Sequence, residues 1–294
     1  MTDDAPSSVQ NLLELLDLSN AGGAQTDEDI FVGSSQRQYS QRVFGGQVLA
    51  QSLIAGIRTV EESRAVHSLH GYFLRAGDAD LPITFGVQRL RDGRSFSARR
   101  IHAYQNAVPI LSMIASFQEP DVGIDHQDSM PAGIPDPETL PSAAQLLAGL
   151  NHPLAKATFR RPFDVRHVGS NLYLTPDEGD RQPYQAVWMK AVDRFPDDPN
   201  LHRAALAFAS DYTLLEPSLR PHGLSWTTPG MSVASLDHAM WWHRPARVDE
   251  WLLYVSASPS ASGARGLNIG KFFTREGVLV ASVAQEGMIR VPRL

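Results

Sequence analysis

The sequence predicts an α+β fold of two tandem units, each an antiparallel sheet wrapped around a long central helix. Three observations predict it. Each half holds one long, mostly apolar helical segment, FGGQVLAQSLIAGI (44–57) and the stretch around 201–215. Each of these helices belongs with about four strand-like runs. Between the halves the composition shifts, and residues 120–162 carry seven of the 20 prolines with clustered Asp, Gly and Ser. A helix that is apolar all round must be buried all round, and a curved sheet closed about it does that.

The elements follow in chain order. Residues 8–17 read as a short amphipathic helix, with Leu12, Leu13, Leu15 and Leu16 on its apolar side and Ser7 or Ser8 as cap. After the helix at 44–57 comes the strand HSLHGYFLR (67–75), then ITFGVQRL (83–90), SFSARRIHAYQ (95–105) and VPILSMIASFQ (108–118). The breaks RDGR and QNA are hairpin turn signals. Within the proline-rich stretch PSAAQLLAGL (141–150) has helical character. The second half repeats the plan: YQAVWMK (184–190), the helix around 201–215, VASLDHAMWWHR (233–244), EWLLYVSAS (250–258), GARGLNIGKFFT (263–274) and VLVASVAQEGMIR (278–290). The predicted division is 1–119, a linker at 120–165, and 166–294. FGGQVLAQSL (44–53) aligns with FASDYTLLEP (208–217), setting Gln47 opposite Asp211, and HGYFLRAG (70–77) resembles AMWWHRPA (239–246). The pattern reads as a diverged duplication resting on order and spacing. This architecture is the hotdog fold, and two copies in one chain make a double hotdog.

Composition excludes several functions. A net charge of −6 argues against a nucleic-acid partner. There is no cysteine, hence no disulfide framework, thiolate metal site or Cys nucleophile, and the chain suits a reducing cytoplasm. The start, MTDDAPSSVQNLLELLDL, is acidic and unlike a secretory signal; no run approaches the ~20 apolar residues of a membrane span; the end, IRVPRL, has no SKL address. The expected location is the cytoplasm. No G-x-S-x-G elbow and no Gly-rich phosphate loop occurs. His67 and His70 fall on opposite faces of a strand, and His238 with His243 lacks zincin spacing. No metal and no cofactor is expected.

Certain polar residues stand out. AALAFASDYTLL (204–215) carries a single charge, Asp211, with Ala207, Phe208, Leu214 and Leu215 at helical spacing around it. A lone carboxylate on an apolar face is costly to bury. On the last strand Leu279, Ala281, Val283, Gln285 and Ile289 share one face, so Gln285 should point inward. For VASLDHAMWWHR the alternation leaves either face free to point inward and does not select Ser235. Asp211 and Gln285 fit a structural role, either a hydrogen bond between them or a helix cap, and a functional site equally well.

The chain resembles the type II acyl-CoA thioesterases, a double-hotdog family. The matching segments are NLLELLDL, RVFGGQVLAQSL, VHSLHGYFLRAGD, LRDGRSFSARR, IASFQEP, AFASDYTLL, RPHG, SLDHAMWWHRP, EWLLYVSASPSASGARG and GVLVASVAQEGMIR. The proline-rich middle matches least. The resemblance implies a catalytic Asp211, Ser235 and Gln285, with Ser where some members have Thr. It implies hydrolysis of fatty acyl-CoA, medium- to long-chain, by activated water without a covalent intermediate. Gly45 and Gly46 are candidates for backbone oxyanion contacts, with close helix packing as the rival reading. Arg94, Arg99 and Arg100 are candidates for the CoA phosphates, with a solvated strand face as the rival. His238 and Asp237 flank Ser235 and are further candidates. A hotdog hydratase or dehydratase, or a non-catalytic acyl-CoA-binding protein, are the alternative functions. A homo-oligomer, dimer or tetramer, is expected; Trp241 and Trp242 suit such an interface or a core.

Overall fold

One antiparallel sheet runs through both halves of the chain. The computed structural model describes residues 7–20, 27–36, 41–179 and 181–292. Residues 1–6 and 293–294, on which part of the targeting expectation rests, lie outside these. The first half comprises α1 (Ser8–Leu16), β1 (Ser19–Asn20), β2 (Asp29–Gly33), α2 (Gly45–Ile57), β3 (Ala65–Phe73), β4 (Ile83–Asp92), β5 (Phe96–Gln105) and β6 (Val108–Gln118). Next come α3 (Ala143–Leu146) and α4 (Pro153–Phe159). The second half comprises β7 (Phe163–His167), β8 (Tyr184–Ala191), α5 (Pro199–Ser210), α6 (Glu216–Leu219), β9 (Ser232–Ser235), β10 (Asp237–Trp242), β11 (Leu252–Ser262), β12 (Arg265–Thr274) and β13 (Leu279–Arg290). Strand order is β1-β2-β4-β5-β6-β3-β10-β13-β12-β11-β8-β7, with β9 on β13. β3 and β10 pair from Tyr72 opposite Asp237 to Ser68 opposite Trp241, and this ladder joins the two halves.

Burial explains the central helices. In α2 every residue from Gly46 to Gly56 is buried. Leu49 and Leu53 are fully enclosed, each worth about 1.5–3 kcal/mol of apolar transfer. Phe85, Ile101 and Phe117 from the first half and Phe208, Tyr254 and Val283 from the second belong to the same core. Ser7 caps α1 by accepting from the Gln10 N–H. Gln51 donates to Leu15 O and Ser34 O, tying α1 and the loop after β2 to α2. Among the described residues no helix is long and apolar enough to cross a membrane.

The proline-rich segment is a strap rather than a free spacer. Met130, Ile134 and Leu140 pack on a small apolar cluster that includes Trp188, Trp251, Phe273 and Leu279. The Trp188 indole donates to Pro135 O and the Trp251 indole to Glu138. Only Ala143–Leu146 of the stretch expected to be helical forms α-helix there, behind a Ser142/Gln145 capping box.

Several elements depart from the sequence reading. β2 and β7, unforeseen, extend the sheet at its two ends, and β1 pairs on β2. The helix around 201–215 stops at Ser210. The run 233–244 divides into β9 and β10. Arg99 also fits neither of its two readings, a phosphate contact at a cavity mouth or a solvated strand face. Its guanidinium is buried and donates to Thr59 Oγ1 and O, Arg91 O, Ala98 O and Asp92, joining the end of α2 to the β4–β5 hairpin. Arg94 lies exposed in that hairpin turn, and Arg100 is exposed beside Gln88.

Replacing Arg99 by Met should strand the Thr59 and Arg91 carbonyls and lower the unfolding free energy by about 2–3 kcal/mol in urea titration. A change below about 0.5 kcal/mol, the range of neutral surface substitutions, would show that Arg99 is not the anchor described.

Candidate active site

Two helix ends meet where Asp211 sits. The residue caps the C-terminus of α5, its N–H bonded to Ala209 O, with φ −85° and ψ −2°. A carboxylate there faces the negative pole of its own helix. The compensation comes from the other half. The N-cap of α2 is Phe44, which offers no capping side chain. Asp211 Oδ2 fills that role, accepting from the Gly46 N–H at 2.9 Å. The Phe44 ring stacks on Tyr212 and meets Phe208 edge-on, locking the helix ends together.

Both glycines of FGG are required by this approach. A Cβ on Gly46 would lie 2.4 Å from Phe208 O, and one on Gly45 2.8 Å from Asp211 Oδ2. Gly45 N–H, at the start of α2, has no hydrogen-bond partner among the described residues.

Ser235 reaches the site through a bulge. Ser235 lies opposite Gly287 while Ala239 lies opposite Ala284, so four steps along β9–β10 face three along β13. The extra residue reverses the alternation. Asp237 Oδ1 stabilises the bulge by accepting from the Glu286 N–H at 2.6 Å, in place of a ladder carbonyl. As a result Ser235 and His238 both face the site, although strict alternation puts them on opposite faces.

Gln285 closes the cluster. Its Nε2 donates to Asp211 Oδ1 at 3.1 Å and to Ser235 Oγ at 2.8 Å, and Ser235 Oγ donates to Asp211 Oδ1 at 3.3 Å. Gln285 Oε1 contacts His238 Nδ1, and His238 Nε2 lies 3.0 Å from Ser210 Oγ. Burial pushes the Asp211 carboxyl up from its ordinary 3.8 to about 6, against the opposing pull of the Gln285, Gly46 and Ser235 donors. Burial lowers His238 to about 4, so its ring is neutral at physiological pH.

Asp211 and Ser235 open onto a cavity of about 800 Å³, within the range of small-molecule sites. Its apolar wall includes Phe44, Val48, Phe73, Ile110, Trp226 and Met231, and Gly45 lies beside Asp211. The cations at the cavity are Arg42, Arg75 and Arg161, the last 4.7 Å above the Tyr212 ring. Arg94 and Arg99 are not among the lining residues, and His238 stands behind Gln285 rather than at the wall. Sequence reasoning missed Arg42 and Arg75 although they stand inside RVFGG and FLRAG; their adjacency to the glycines and to β3 was the available signal. Among the described residues the first half has no matching cluster. Gln47 is turned to Ser34 O, Gln51 and the Gln36 N–H, and Ala115 occupies the place of Gln285 when SMIAS is laid over SVAQE. Among the described residues no group of three or more His, Asp or Glu could hold a metal ion.

Comparison with known proteins places the chain. The family described as "Acyl-CoA thioesterase" matches residues 155–288, and the one described as "Acyl-CoA thioesterase N-terminal domain" matches residues 35–118. Acyl-CoA thioesterase 2 of Haemophilus influenzae is 39% identical, over 96% of this chain and 98% of its own. The crystal structure of an acyl-CoA thioesterase II from Mycobacterium marinum superposes with a TM-score of 0.76 at 45% identity, covering 96% of this chain and 98% of that one. A hot dog fold protein of Alicyclobacillus acidocaldarius, 18% identical, shares the fold with a TM-score of 0.77 over 96% of this chain and 99% of its own.

The carboxyl of Asp211 has a folded pKa above its unfolded one. As pH rises from about 4 to 6 the unfolded chain loses this proton first, so stability falls through that window. The step from 3.8 to about 6 corresponds to at most about 3 kcal/mol. Asp211→Asn lacks this penalty. Urea titrations should therefore show the variant gaining on wild type between pH 4 and 7. A stability difference that does not change with pH would contradict the assignment.

Proposed function

The chain belongs to the acyl-CoA thioesterase family, and we propose that it hydrolyses medium- to long-chain acyl-CoA by direct attack of a water molecule activated by Asp211. The observation that carries this reading is the hydrogen-bond accounting of that carboxylate. A carboxylate has about four acceptor sites. Ser235 and Gln285 occupy two on Oδ1, and Gly46 occupies one on Oδ2. The remaining site on Oδ2 faces the space over Gly45, where the cavity opens.

A water bound there donates one proton to Oδ2. Its oxygen attacks the thioester carbonyl carbon as that proton passes to Asp211. The carbonyl oxygen becomes an oxyanion, and the Gly45 N–H at the positive end of α2 is the group offered to it. When the tetrahedral adduct collapses, the C–S bond breaks and the thiolate takes the proton back from Asp211. The products are the free acid and the CoA thiol, and the carboxylate is restored. No side chain becomes covalently acylated. Ser235 and Gln285 hold the base in place, and the apolar wall takes the acyl chain. Arg42, Arg75 and Arg161 supply positive charge for the CoA phosphates, a task for which the sequence offers Arg94, Arg99 and Arg100 as candidates.

We also propose a cytoplasmic location, supported by the absence of cysteine. A homo-oligomer is supported by Tyr72 and Ile114, exposed on the outer face of the first-half sheet.

Free-thiol release from short to long acyl-CoAs tests the reading. Asp211→Asn should lower kcat by about 100-fold or more while staying folded. Wild-type kcat should decline as pH drops through about 6, because only the ionised carboxylate accepts a proton. A fully active variant would remove Asp211 from the chemistry. Absence of thiol release at every chain length would favour a hydratase or a binding protein instead.

A further inference from the structure

Resting on the reading that Asp211 is the base, we infer that His238 is a positioning residue whose Nδ1–H fixes which way the Gln285 amide points. Hydrogen-bond polarity fixes the orientation. An ionised carboxylate only accepts, so Gln285 must turn its NH2 group to Asp211 Oδ1. The same group serves Ser235 Oγ, which passes its own proton to Asp211. The Gln285 carbonyl is then left facing His238 Nδ1, and that nitrogen must carry a proton. A neutral ring has one N–H, so Nε2 is bare and needs a donor. Ser210 Oγ, at 3.0 Å, is that donor. The hydroxyl also donates to Ala207 O at 2.8 Å, and with Nε2 bare its one proton is shared between that carbonyl and the ring as a three-centre bond. Ser210, His238 and Gln285 are all buried, so water does not compete for these bonds.

The chain matters most when Asp211 holds a proton. The proton from water arrives on Oδ2, but a carboxyl can equally hold it on Oδ1, where a flipped Gln285 carbonyl would accept it and keep it from the leaving thiolate. The His238 N–H keeps that carbonyl engaged and so keeps Asp211 ready to return its proton to the leaving thiolate. Removing His238 frees the flip, stabilises protonated Asp211, and moves the acid side of the rate profile to higher pH. The other titratable groups packed around the cluster are Tyr212 beside Asp211, Tyr254, whose hydroxyl donates to Ser210 O, and Arg161 over the Tyr212 ring. Burial raises both phenols, which stay neutral through the range of interest.

The test joins two variants with one spectrum. His238→Leu should lower kcat about 10- to 100-fold with KM changed by less than about twofold, and should shift the acid limb upward. His238→Asn returns an N–H near the Nδ1 position and should recover most of kcat and the original limb. Equal losses in both variants with an unmoved limb would reduce His238 to packing and overturn the inference. The spectrum requires no active variant: 15N-histidine NMR of the wild-type chain, with the His238 signals identified by their loss in either variant, should show the Nδ1–H tautomer. An Nε2–H tautomer overturns the inference even in an active enzyme. Failure of the underlying reading shows separately, as full activity in Asp211→Asn.

Discussion

The hydrogen bond from the Gly46 N–H to Asp211 Oδ2 spans 165 residues of chain and joins the two halves at the proposed site. Much else in the structure is arranged to permit it. The β3–β10 ladder fixes one half against the other. Phe44, wedged against Phe208 and Tyr212, sets the separation of the helix ends. Gly45 and Gly46 leave out the Cβ atoms that would otherwise strike the carboxylate and the Phe208 carbonyl. The N-terminus of one central helix thereby offsets a charge that the C-terminus of the other disfavours.

This balance is deliberately incomplete in its physics. Three donors pull the Asp211 pKa down, yet desolvation outweighs them and leaves it near 6. An exposed carboxylate would be a weaker base, and one with all four acceptor sites filled could not hold a water. The bulge at Leu236–His238 performs the same kind of work from the sheet side. By adding one residue against β13 it brings both Ser235 and His238 to Gln285, which a regular strand cannot do. The cost to stability of a buried, charged site is the ordinary companion of function.

Much of this was legible in the sequence, and the failures have particular causes. Two apolar helices, each with its antiparallel strands, were enough for the double hotdog, because all-round apolarity demands all-round burial. Gln285 was found by alternation because β13 keeps a regular inward face. Alternation could not select Ser235, because the bulge that places it depends on Asp237 bonding the backbone of a partner strand. Asp211 stood out as a lone charge, but its place at the helix end and its partner in α2 depend on docking between halves. The arginines show the limit most plainly. Arg99 lies on the inward face of β5 and is a core anchor, whereas Arg42, Arg75 and Arg161 reach the cavity from three separate segments, a convergence that local pattern does not contain.

Enclosure by both halves is what, in the proposed mechanism, makes Asp211 a base suited to neutral pH. Difference infrared spectroscopy of the carboxyl stretch, wild type minus Asp211→Asn across a pH series, reads that directly. The account predicts a buried carboxyl band that titrates near pH 6 and is absent from the variant. A band that stays ionised down to the ordinary carboxylate range near 4 would contradict it.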